Sequence, residues 1–94
     1  EIYVIRKEKY MPENSPHIRR HLKITTQTEV VKFVNAIQME PDMYHIEDFE
    51  ANFRANAASI MGVMYAMIEF NDNMFLVNKT NDGHFPSFID QFSA

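Results

Sequence analysis

Cysteine is absent from the sequence, which excludes disulfide staples, thiolate nucleophiles and cysteine-based metal clusters and agrees with a reducing compartment. Tryptophan is absent too; the aromatic content is eight Phe and four Tyr, so large side chains can fill a core with few buried polar handles needing partners. Positive charge is scarce. Nine Lys and Arg stand against 13 Asp and Glu, leaving a net charge of −4 and a pI near 5.5, which argues against a broad nucleic-acid footprint. Arg19, Arg20 and Lys23 cluster, and they read as the solvated edge of a strand. The longest strongly apolar run, residues 60–68, falls well short of the roughly 20 residues needed to span a bilayer. No secretory hydrophobic stretch opens the chain, so neither a membrane nor a nucleic acid is an expected partner, and the cytoplasm is the default location. The first residue is Glu, not Met, which reads as a trimmed, processed or excised chain.

What is present suits one domain. Ninety-four residues with 46% apolar content can bury one core and are too few for two. Residues 1–17 read as an N-terminal extension, with Ile-Tyr-Val-Ile at 2–5 as an edge strand or docked tail and a proline-containing linker at 11–16. The domain proper is expected over residues 18–94. Residues 21–24 alternate, with Leu22 and Ile24 on one side, as in a half-buried strand. Val30, Phe33, Val34 and Ile37 then recur at helical spacing, and Thr26 with Glu29 has the spacing of a capping box. Residues 44–49 and 53–56 flank a turn and predict a hairpin. Residues 59–68 are helical in propensity, with Ser59 as N-cap, and apolar nearly all round. A fourth strand is expected at 74–77, a turn at Asn81-Asp82-Gly83, and a last helix with Phe85, Phe88, Ile89 and Phe92 as its buried stripe and Pro86 in its first turn. The order β-α-β-β-α-β-α predicts an α+β fold, an antiparallel sheet under helices packed on one face.

The segment Asn56-Ala57-Ala58-Ser59-Ile60-Met61-Gly62-Val63-Met64 resembles Asn-x-Lys-Ser-Ile-Met-Gly-Val-Met, the conserved segment of the HPr family in the branch that carries a regulatory serine. These are the small phosphocarriers of the bacterial sugar phosphotransferase system. The likeness extends from about His21 to Phe92, with Phe33-Val34 where the family's first helix has a Leu-Val pair. It implies an open-faced β-sandwich: a four-stranded antiparallel sheet with three helices on one face. In members that carry phosphate, a histidine at the start of the first helix, within Gly-x-His-Ala-Arg-Pro, takes the phosphoryl group. Here the corresponding stretch is Thr26-Gln27-Thr28-Glu29, with no His, Arg or Pro in any plausible register. The site is therefore read as degenerate, similar to the catabolite-repression paralogues of HPr in which glutamine replaces the histidine.

Three further expectations follow from the resemblance. Ser59 matches the serine that HPr kinase modifies; its plainer role is an N-cap worth about 1 kcal/mol, and Ala58 in place of the family lysine weakens the match. Ile60, Met61 and Met64 match positions that present an apolar patch to protein partners, an HPr kinase or a transcription regulator among them; the plainer reading is that other protein covers them. The residue matching Met61 is exposed in the family and the one matching Val63 is packed. His17 and His21, four apart, lack a third ligand and are not read as a metal site, and no cofactor is called for. His21 itself reads as an exposed strand histidine.

The leading expectation is a non-catalytic HPr-like regulatory or interaction domain. The alternative is a scaffold module of a larger or unrelated protein with no phosphotransferase-system role. A small-molecule or enzyme domain with its site on the open sheet face is a third class, which no residue pattern supports.

Overall fold

A computed structural model describes residues 15–94. The strand expected at residues 2–5 and most of the proposed extension lie outside the described residues. The elements are β1 (Arg19–Leu22), α1 (Gln27–Gln38), β2 (Tyr44–Glu47), β3 (Arg54–Asn56), α2 (Ile60–Glu69), β4 (Met74–Asn78) and a final 3₁₀ helix (Ser87–Phe92). The strands form one antiparallel sheet in the order β1-β4-β2-β3. No described helix is long and apolar enough to cross a membrane.

Strand periodicity gives the sheet two unlike faces. Pairing of Leu22 with Met74 and of Ile46 with Leu76 sets these side chains on one face. That face joins Val30, Phe33, Val34 and Ile37 of α1, Val63 and Ala66 of α2, and Ile89 and Phe92 of the 3₁₀ helix in one buried cluster. The three described helices therefore serve the same face. Val77, also buried, lies outside that cluster, because alternation turns it to the other side with Arg19, His45 and Glu47.

Two expectations need correction. β1 runs from Arg19 to Leu22, two residues earlier than residues 21–24, because its register is set by pairing Arg19 with Val77 and Leu22 with Met74. Beyond Leu22 the chain still buries Ile24, and Lys23 N–H donates to the Phe92 carbonyl at 2.6 Å. The last helix is a 3₁₀ helix starting at Ser87, and Pro86 is its N-cap, outside the first turn. Its two buried residues, Ile89 and Phe92, are three apart, which suits three residues per turn.

Local chemistry accounts for the remaining boundaries. Thr26 caps α1 by accepting from Glu29 N–H, and the Glu29 carboxylate accepts in return from Thr26 N–H, so the capping box forms. Asn78, fully buried, donates to Asp42 and to the His84 carbonyl and accepts from Thr80 N–H and Asn81 N–H, tying the turn after β4 to the loop before β2. Gly83, in that turn, has φ of 87°, a conformation that side chains disfavour.

Candidate functional site

The two longer helices begin differently. At α1 the Glu29 carboxylate accepts from Thr25 N–H at 2.9 Å, Thr25 Oγ1 at 3.1 Å and Thr26 N–H at 3.2 Å. Hydrogen bonds from the Thr25 N–H and hydroxyl hold its carboxyl below its ordinary value, with lesser help from Thr26, against an opposing effect of desolvation. A negative charge therefore sits at the N-terminal end of α1. Thr26 is the cap, and Gln27 and Thr28 open the helix exposed to solvent. None of them offers a nucleophilic ring nitrogen.

At α2 the N-terminus carries no acidic residue in its first turn. Ser59, half-buried, has extended backbone and its Oγ accepts from Gly62 N–H at 3.0 Å. The helix exists because Val63 and Ala66 bury one stripe against the sheet and α1. Its other side is left in solvent: Met61 is 81% exposed and Ile68 71%, with Ile60, Met64 and Tyr65 exposed beside them. Ser59, Ile60, Met61 and Met64 are thus brought to one end of one helix, with Met61 outward and Val63 inward. Thr26, Gln27 and Thr28 start a different helix and are not shown to join them.

A buried charge cluster went unread in the sequence. On the sheet face away from the helices, Arg19 Nη1 donates to Glu47 Oε2 at 3.1 Å and to the carbonyls of Asp48 and Phe49 at 3.1 and 3.0 Å. Its guanidinium lies 4.3 Å from the centre of the Phe75 ring. His45 Nε2 is 3.1 Å from Glu47 Oε1. Burial pushes the Glu47 carboxyl up, but hydrogen bonds from Ser15 and His45 and the charge of Arg19 outweigh it, and its pKa lies below the usual value. Burial dominates at His45 and pushes the imidazole down, only partly offset by Glu47. With Glu47 at 2% exposure and His45 at 4%, the cluster is closed to solvent and works as an internal clamp between β1 and β2 across β4. The one signal in the sequence was His45 and Glu47 at alternate positions of one strand, a pattern that ordinarily marks a solvated face.

Two of the other histidines make contacts of their own. His21 stacks on Phe75 with ring centres 4.6 Å apart and hydrogen-bonds the Asp72 carbonyl, while His17 Nδ1 lies 3.4 Å from Asp82 and its ring stands edge-on to His45 with centres 6.2 Å apart. Among the described residues, no three His, Asp or Glu side chains gather as metal ligands. Comparison with family models, with curated proteins and with solved structures finds no match to this chain.

Proposed function

We propose that this chain is a non-catalytic HPr-like regulatory or interaction domain, in which histidine phosphotransfer is lost, α2 is the protein-binding surface and Ser59 is a phosphorylation switch in carbon-catabolite regulation. The observation that carries the reading is the apolar outer side of α2, with Met61 and Ile68 in solvent on a helix whose opposite stripe is fully packed. Methionine-rich exposed surface adapts to partner shapes and is uncommon on a helix that meets only water. Ser59 adds to this. A phosphate on its Oγ would lie at the N-terminal amides of a ten-residue helix with no carboxylate in its first turn, where dipole and unpaired N–H groups favour an anion.

The α1 terminus supports the loss of phosphotransfer, since no histidine stands at its start and the Glu29 carboxylate, bonded to the amides of Thr25 and Thr26, places a repelling negative charge there. The partner would be an HPr kinase or a transcription regulator of the same system. Incubation with enzyme I and radiolabelled phosphoenolpyruvate is expected to leave the chain unlabelled, whereas HPr kinase with ATP is expected to label it at Ser59 and not a Ser59→Ala variant. Acid-labile label on His17, His21 or His45 would overturn the loss of phosphotransfer. Failure of the kinase to label Ser59 would remove the switch and leave a scaffold module without a phosphotransferase-system role.

A further inference from the structure

At the opposite end of α2 from Ser59, a cleft of about 410 Å³ opens between the helix and the loop joining β2 to β3. Four aromatic rings line it: Phe49 and Phe53 from the loop, Tyr65 and Phe70 from α2 and its cap. Three carboxylates, Asp48, Glu50 and Glu69, share the lining, with no Lys or Arg among the lining residues. The last turn of α2 holds no basic residue, so the partial negative charge of its C-terminal carbonyls is unmet there by any cation of the helix itself.

The loop is built to hold this arrangement. Asp48 Oδ1 accepts from Asn52 N–H at 2.8 Å and Phe53 N–H at 3.0 Å, and the Asp48 carbonyl accepts from Ala51 N–H at 3.0 Å. Ala51 sits at φ of 60°, a left-handed conformation that a residue with a Cβ disfavours, so the tight turn is kept against local preference. The result leaves Phe49 and Phe53 exposed, which burial alone would not select. Tyr65 packs edge-on to Phe70 with centres 5.8 Å apart, and the Arg19 guanidinium already lies 5.8 Å from the Phe49 ring. Arg19 is consumed by Glu47 and the loop carbonyls, yet it shows that this loop accommodates a guanidinium.

We propose that the cleft is a docking site for an arginine side chain presented by a protein partner. Aromatic faces attract a cation through their quadrupoles, and carboxylates with a helix C-terminus add charge complementarity. Arginine fits better than lysine because its planar guanidinium stacks on rings while donating to carboxylates in its plane. A peptide is favoured over a free organic cation because Tyr65, which lines the cleft, lies one helical turn from Met61 on the exposed apolar side of α2.

The probe is a blocked peptide with one arginine among leucines, titrated into the full ¹⁵N-labelled chain and followed by amide chemical shifts. Shifts are expected to concentrate in residues 48–53 and 65–73, and replacing arginine by citrulline, neutral and nearly isosteric, is expected to weaken binding roughly tenfold. A Glu50→Gln/Glu69→Gln variant, altering only exposed groups, should keep its melting temperature and lose most of the affinity, and added salt should weaken the wild-type complex. Equal affinity for the citrulline peptide, or shifts confined to residues outside the cleft, would overturn the proposal. These outcomes are independent of whether a kinase labels Ser59.

Discussion

Gly62 lies against the backbone of Asn56 so closely that a Cβ on it would stand 2.5 Å from the Asn56 carbonyl oxygen. Backbone cannot rotate aside as a side chain can, so this glycine is what lets the first turn of α2 close over the end of β3. The helix accepts a residue of low helical propensity in exchange for that approach. Gly62→Ala is therefore expected to destabilise the protein by about 1–3 kcal/mol, overpacking exceeding the propensity gain. Urea denaturation would check it; a stabilised variant would show that α2 can move away from β3 at no cost.

Met61 and Val63 are two residues apart and face opposite ways, 81% and 0% exposed. Met61→Asp is expected to change stability by less than about 0.5 kcal/mol, since a negative charge in the first turn of a helix is tolerated. Val63→Asp places an unpaired carboxylate in the core and is expected to cost more than about 4 kcal/mol. Thermal melts of the two variants give the answer, and equal losses would show the outer side of α2 to be covered.

Removing one member of the Arg19–Glu47 pair should be far worse than removing both. Glu47→Gln leaves a nearly buried guanidinium without its counter-ion, with an expected loss of about 3–5 kcal/mol. Arg19→Met with Glu47→Leu should recover most of that, because apolar side chains replace both desolvated charges. A double-mutant cycle measures the coupling. Additive losses would mean the two side chains are not paired.

Acid should weaken the fold in two stages. His45 has a folded pKa below its ordinary 6.5, so the unfolded chain binds the proton first and stability falls as pH drops through 6.5 toward the lower folded value. Glu47 and Glu29, held below 4.5, keep their contribution above that pH and lose it as pH falls through their folded values. Melting temperature measured across this range should decline in both windows, and His45→Gln should flatten the upper one while leaving a decline in the lower one. An unchanged upper slope in that variant would place the protonation elsewhere.

Spacing of residues in the chain was sufficient for α1. Val30, Phe33, Val34 and Ile37 follow the helical repeat and all four are buried, and Thr26 and Glu29 meet as the capping box, because both depend on contacts within a few residues. The same holds for Ser59 as the cap of α2 and for a helix apolar beyond what one sheet face can cover. Local pattern did not reach the start of β1 or the 3₁₀ character of the last helix. β1 takes its register from β4, more than 50 residues away, and the last helix winds to suit the core positions open to Ile89 and Phe92.

Tertiary structure alone decided what the charged strand residues do. Arg19 reads with Arg20 and Lys23 as a solvated strand edge, and nothing in the sequence singles out His45 or Glu47 for burial. Yet the order β1-β4-β2 brings Arg19, His45 and Glu47 together and buries them, lowering the pKa of His45 by desolvation and that of Glu47, against desolvation, by its hydrogen bonds and neighbouring charge. It likewise placed the loop of Phe49, Glu50 and Phe53 opposite Tyr65 and Glu69. Periodicity along a chain reports which side of an element a residue occupies; which groups meet across elements depends on strand order and register, and those are set by long-range packing.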